Sequence, residues 1–248
     1  MMEPQKIKNS KKYVIAYTYL KYENQPCIVY LHGLRSSRNS EKGKRIRQFC
    51  LQNNYSFLSV DYTGHGESEG KPDDFRIHQC LEDVVNVIRF HNIREPLYLV
   101  GSSLGGWISF LLAEQFPLQV KGILTCAAGV DFLPMVWHHI FNDKIRDLLK
   151  NGAVIGPNEE THGHCFSYPM FVEAEPFLLL NRKIQYNGPV ILAHGDKDEI
   201  IPFENSFKIK DALESQDVCV HIVKGDNHSL QTYPLENNIQ SLIERNAA

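Results

Sequence analysis

The chain has 248 residues, enough for one compact domain with room for an excursion, and 43% of them are apolar. Its formal charge is −3, which offers no basic field for nucleic acid and no polybasic signal for anionic lipid. No run of about eighteen apolar residues suggests a membrane span. The six cysteines are scattered singly with no C-x-x-C pair, so neither a zinc ribbon nor a redox pair is expected. Free thiols in apolar runs suit a reducing compartment. The first residues, MMEPQKIKNSKKYVIAY, lack the apolar core of a secretory signal and contain no Arg. The expectation is a cytoplasmic protein.

In chain order, YVIAYTYLK (13–21) reads as an early antiparallel edge strand. It is followed by CIVYLHG (27–33), YSFLSVDY (55–62), LYLVGSS (97–103), VKGILTCAA (120–128), VILAHGD (190–196) and VCVHIV (218–223). Several of these are apolar throughout, as parallel strands covered on both faces must be. Between Asp74 and His91, Ile77, Leu81, Val84 and Ile88 recur at helical spacing. Pro202 opens another helix, and Leu235, Ile239, Leu242 and Ile243 share the face of a last one. The pattern predicts an α/β fold: a mostly parallel twisted sheet of about seven or eight strands flanked by helices. Residues 131–188 break the rhythm, with helical pieces MVWHHIFNDKIRDLLK and FVEAEPFLLL around a Gly- and Pro-containing loop. They are read as a small helical cap inserted into a core of 1–130 and 189–248, over the strand ends where open α/β sheets bind ligands.

Gly101-Ser102-Ser103-Leu104-Gly105 follows a strand and opens a helix. This is the G-x-S-x-G nucleophile elbow, in which a sharp turn strains the serine backbone and leaves no room for side chains at the flanking glycines. Ser103 is the candidate nucleophile; Ser102, the nearest rival, lacks the symmetric glycines. Its base should come after it in sequence. His228, in VKGDNHSL between the last strand and the last helix, is best placed. The acid should follow the penultimate strand, where HGDKDEIIP offers Asp198, with Asp196 and Asp131 as alternatives. His194 reads as structural. Two backbone N–H groups, those of Leu34 and Leu104, are the candidate oxyanion donors, with Gly33 permitting the turn that aims the first. DYTGHGESEG (61–70) reads as a structural loop, with His65 outside the chemistry.

In the cap, His138, His139, His162 and His164 include an H-G-H but no further ligands, so no metal site is expected. Trp107, Phe132 and Trp137 are candidate substrate-binding residues. Met135, Val136, Phe166, Phe171 and Phe177 are further possible walls of an acyl pocket.

H-G-L, D-Y-x-G-x-G-x-S-x-G, G-S-S-L-G-G-W, H-G-x-K-D-x-I-x-P and a late D-x-H occur in this order over about residues 13 to 245. In this the chain resembles the α/β-hydrolase superfamily. More narrowly, it is similar to the group of the mitochondrial α/β-hydrolase domain protein ten and its bacterial relatives. GSSLGGW (101–107) is the most specific shared piece, and Asp61, Gly64, Gly66 and Ser68 match the next. The resemblance implies serine esterases: palmitoyl-protein thioesterases or acyl-glucuronide esterases, with Ser103, Asp198 and His228 in the same roles. It implies hydrolysis of an ester or thioester through an acyl-enzyme, without cofactor or metal, on a small-molecule or acylated-protein substrate, and it makes the mitochondrial matrix the alternative to a cytoplasmic location. Two other readings are carried forward. One is a serine exopeptidase using cap acids among Glu159, Glu160, Glu173 and Glu175. The other is a catalytically silent fold used for binding.

Overall fold

A computed structural model describes residues 3–158, 161 and 163–245; Glu159, Glu160 and His162 lie outside the described residues. The chain opens with β1 (Gln5–Lys8), β2 (Val14–Leu20) and β3 (Cys27–Leu31), then α1 (Glu41–Asn53), β4 (Ser56–Val60) and α2 (Ile77–Phe90). Next come β5 (Leu97–Ser102), α3 (Leu104–Gln115) and β6 (Val120–Cys126). An excursion of short pieces follows: α4 (Phe132–Met135), α5 (Asp143–Lys150), β7 (Val154–Ile155), β8 (Phe166–Ser167) and α6 (Tyr168–Val172). The chain returns through β9 (Val190–Gly195), α7 (Glu204–Ala212), β10 (Val218–Val223) and α8 (Leu235–Arg245).

Eight strands form one sheet in the order β1-β2-β4-β3-β5-β6-β9-β10. The β1–β2 and β2–β4 pairs are antiparallel and the others parallel. The side-chain period of two sorts β3 between two cores. Cys27, Val29 and Leu31 join the core beneath α2 and α3, whereas Ile28 and Tyr30 join the one beneath α1 and α8. Both faces of β3 are therefore dry, which is why the strand is apolar at every position.

The excursion is less helical than its sequence suggests. Pro134, Pro169 and Pro176 confine the helices to short runs, because proline removes a donor and crowds the preceding turn. Between α4 and α5 the chain makes one wide turn, closed by Phe141 N–H donating to Val136 O, five residues back, at 3.0 Å.

Candidate active site

Ser103 sits where β5 ends and α3 begins, at φ 53° and ψ −116°. For a residue with a Cβ this conformation costs on the order of 1–3 kcal/mol and persists only where the surroundings impose it. Here Ser103 N–H donates to Cys126 O at 2.9 Å, and Ser103 O accepts from Gly106 N–H at 2.9 Å and Gly129 N–H at 3.0 Å. The flanking glycines are steric requirements. A Cβ on Gly101 would lie 2.4 Å from Gly105 O, and one on Gly105 would lie 1.9 Å from Leu31 O. The turn presses α3 so closely against β3 that no side chain fits between them.

Asp198 and His228 meet although thirty positions separate them: His228 Nδ1 donates to Asp198 Oδ2 at 2.7 Å. The other carboxylate oxygen accepts Ile200 N–H and Ile201 N–H, both at 2.9 Å. His194 Nε2 also donates to Oδ2, at 3.0 Å, and to Ile201 O. Burial alone would raise the Asp198 pKa. The hydrogen bonds from His194 and His228 outweigh it and hold the carboxyl well below the usual carboxylate range. His194 is thus a support for Asp198, a role its position in H-G-D-K-D does not reveal. The rival acids have other partners. Asp131 accepts Leu179 N–H and Leu180 N–H, and Asp196 accepts Gly225 N–H at 2.6 Å.

Ser103 and His228 line one cavity of about 710 Å³ together with Leu34 and Leu104, a size usual for a small-molecule site. No hydrogen bond joins Ser103 Oγ to His228 among the described residues; such bonds often close only in the substrate complex. A Cβ on Gly33 would come 3.3 Å from Ser103 Cβ, so the loop after β3 lies against the serine. The Leu104 N–H, first in α3, has no partner within its helix and lies at the positive end of the helix dipole.

The cavity lining is mixed, with apolar and polar residues. Phe132, Met135, Val136, Phe141 and Phe166 from the excursion, with Ile201, form an apolar wall. Lys42, Arg35 and Gln231 also border the cavity and add polar groups to its lining. Burial lowers the Lys42 pKa, and its ammonium donates to Ser229 O beside His228. Of the three substrate-binding candidates only Phe132 is on the wall. Trp107 is corrected: it is fully buried, its Nε1–H donates to Phe177 O at 3.0 Å, and its ring meets Phe132 edge-on. Trp137 is also off the wall, packed on Tyr168 and Phe171 beneath Lys150. Phe171 does not line the cavity but packs on Phe141 and Phe166 of the wall, and Phe177 stacks on His78 of α2.

Asp61, Gly66 and Ser68 have a structural part next door. Buried Asp61 accepts Arg38 N–H at 2.6 Å, the Arg38 guanidinium and Glu67 N–H. Ser68 Oγ–H donates to Asp61 O. This buried ion pair fixes the far end of the loop that carries Leu34. Glu173 pairs with Arg76 on the surface and Glu175 is exposed, so neither reaches the cavity. Among the described residues no group of three or more His, Cys, Asp or Glu could hold a metal ion, and no helix is long and apolar enough to cross a membrane.

A mostly parallel sheet with a strained serine between its central strand and the following helix defines the α/β-hydrolase class. The chain belongs to the alpha/beta hydrolase fold family, whose model matches residues 26–153. Within it, the mitochondrial palmitoyl-protein thioesterase ABHD10 of Bos taurus is 31% identical over 220 residues, covering 88% of this chain and 71% of the relative. The structure of alpha/beta hydrolase domain-containing protein 10 from mouse superposes with a TM-score of 0.88 at 27% identity, covering 98% of this chain and 99% of that one. A putative hydrolase from Agrobacterium vitis S4 has the same fold, with a TM-score of 0.88 at 23% identity over 97% and 98% of the two chains. The resemblance to the group of domain protein ten is therefore correct. The cytoplasmic expectation is not: it rested on the first residues and the scattered cysteines, whereas the ABHD10 relatives are mitochondrial proteins by name.

Proposed function

We propose that the chain is a serine esterase or thioesterase acting through an acyl-enzyme at Ser103. The observation that carries this reading is the Asp198–His228 pair at 2.7 Å, whose imidazole lines the cavity that also holds the strained Ser103. His228 takes the Ser103 proton as Oγ attacks the acyl carbonyl, and Asp198 keeps the ring oriented and stabilises the imidazolium. The N–H groups of Leu34 and Leu104 receive the oxyanion. His228 then protonates the departing alcohol or thiol, and water activated by the same ring releases the acid.

The ABHD10 relatives are named palmitoyl-protein thioesterases, which supports a thioester of an acylated protein or a small acyl thioester as substrate. The apolar wall of Phe132, Met135, Val136, Phe141 and Phe166 suits the acyl chain, and we assign residues 131–188 the part of a cap over it. A mitochondrial location accords with the same relatives.

The test compares an S-acyl peptide, the matching oxyester and an aminoacyl anilide on wild type and Ser103→Ala. Hydrolysis of the first two, lost in the variant, is expected. Faster turnover of the anilide would assign an exopeptidase instead, and no turnover of any would leave a silent fold.

A further inference from the structure

The loop after β3 must present one particular N–H to the reacting oxygen, and a buried imidazole is bonded to the same peptide unit. His32 is fully buried at the end of β3. Its Nδ1 lies 2.8 Å from Gly33 O. A carbonyl oxygen only accepts, so Nδ1 carries the hydrogen and donates. Burial pushes the His32 pKa down to about 3, so the ring is neutral and Nε2 holds a lone pair. That atom has no hydrogen-bond partner and faces Asp61 Oδ1 at 3.9 Å. The ring is held in place by Tyr62, 4.1 Å away between centroids, whose hydroxyl also donates to His32 O.

Gly33 O and the Leu34 N–H belong to one trans peptide and point in opposite directions. Gly33 O is held inward by His32 Nδ1 and by Ser36 N–H at 3.1 Å. The Leu34 N–H must therefore point away from the buried ring, on the side where Leu34 borders the cavity with Ser103. We propose that His32 is a positioning residue that fixes the Gly33–Leu34 peptide plane and so aims the Leu34 N–H at the oxyanion. This rests on the esterase reading given above. It gives the orphaned Nε2 a reason: the ring retains one unsatisfied atom because the other nitrogen is needed at Gly33 O.

The two nitrogens can be separated by substitution. His32→Asn places an amide N–H where Nδ1 stood, and His32→Gln places one where Nε2 stood. Activity on p-nitrophenyl butyrate and inhibition by a trifluoromethyl ketone, which forms a tetrahedral oxyanion adduct on a serine, are measured for both. His32→Gln should lose at least about tenfold in kcat/KM with KM unchanged, since misplacing one oxyanion donor acts on the transition state. The Ki of the ketone should rise by the same factor. His32→Asn should stay within about threefold of wild type in both. Should His32→Gln not fold, His32→Leu against the near-isosteric His32→Asn makes the same comparison. Equal behaviour of the donor-keeping and donor-lacking variants overturns the proposal, as does a loss of kcat/KM without a change in Ki. Hydrolysis surviving in Ser103→Ala would instead overturn the esterase reading itself.

Discussion

Asp198 Oδ2 accepts from two imidazoles at once, His228 Nδ1 at 2.7 Å and His194 Nε2 at 3.0 Å. With Ile200 N–H and Ile201 N–H on Oδ1, the carboxylate has four donors and no spare orientation. Asp198→Asn replaces an acceptor with an amide that can donate toward His228 and so favours the wrong tautomer. We expect kcat to fall by about 10⁴, the loss seen for the same substitution in a serine protease triad, with KM changed little. Steady-state kinetics on one ester checks it; a loss under tenfold would remove Asp198 from its role.

The same carboxyl ties stability to pH. Its folded pKa lies below the unfolded value of about 3.9, so it binds its proton less readily in the folded state. The stabilisation is fully present above that unfolded value and drains away as pH falls through the folded one. Urea unfolding should therefore show the free energy falling below about pH 4, and falling less steeply in Asp198→Asn. Parallel curves for the two proteins would show that the carboxyl has no such linkage.

Gly105 allows α3 to touch β3, since an added Cβ would sit 1.9 Å from Leu31 O. Backbone atoms on both sides cannot give way locally. Gly105→Ala should cost at least about 3 kcal/mol, at the upper end of overpacking effects, and abolish activity in the fraction that folds. Denaturant melts and specific activity measure the two losses. A variant as stable and active as wild type would contradict the packing described.

Trp107 and Phe132 touch, yet the two should fail differently. Trp107→Phe removes the Nε1–H bond to Phe177 O and leaves that carbonyl unpaired, costing about 1–3 kcal/mol of stability with KM nearly unchanged. Phe132→Ala opens the apolar wall and should raise KM most for long acyl chains. A chain-length series of p-nitrophenyl esters on both variants separates them. A flat response of Phe132→Ala across chain length would show that the wall does not meet the acyl group.

Arg38 and Asp61 form a buried ion pair behind the Leu34 loop. Arg38→Met strands the Asp61 carboxylate without its countercharge, and removal of one partner of such a pair costs about 3–5 kcal/mol. The double variant Arg38→Met, Asp61→Asn should recover part of that loss. Thermal unfolding of the set measures the coupling, and purely additive effects would show that the two side chains act independently.

Much of this architecture was legible in the sequence because it is written in local steric rules. Continuous apolar runs such as CIVYL announce strands dry on both faces, and the glycines around Ser103 announce a turn with no space for a Cβ. What stayed hidden depends on which neighbour a side chain finds. Trp107 and Phe132 look alike as aromatic residues near the elbow, but one is sealed beneath the excursion and the other faces the cavity. His194 and His32 each stand at a strand end before a glycine. Only the folded loops show one supporting Asp198 and the other bonded to Gly33 O. The helix Glu41–Asn53 carries many charges over a narrow buried stripe of Gly43, Ile46 and Cys50, too weak a period to announce itself. The edge strand Gln5–Lys8 is four residues of mostly polar chain and gains its form from pairing with β2.

The most direct measurement is the site of a covalent label. Wild-type protein treated with a fluorophosphonate should gain one adduct, mapped by peptide mass spectrometry to Ser103, and lose ester hydrolysis in proportion to it. Ser103→Ala should take up none and hydrolyse nothing. An adduct on another residue, or steady turnover in the alanine variant, would mean that the hydroxyl on the bend is not the group that takes the acyl chain.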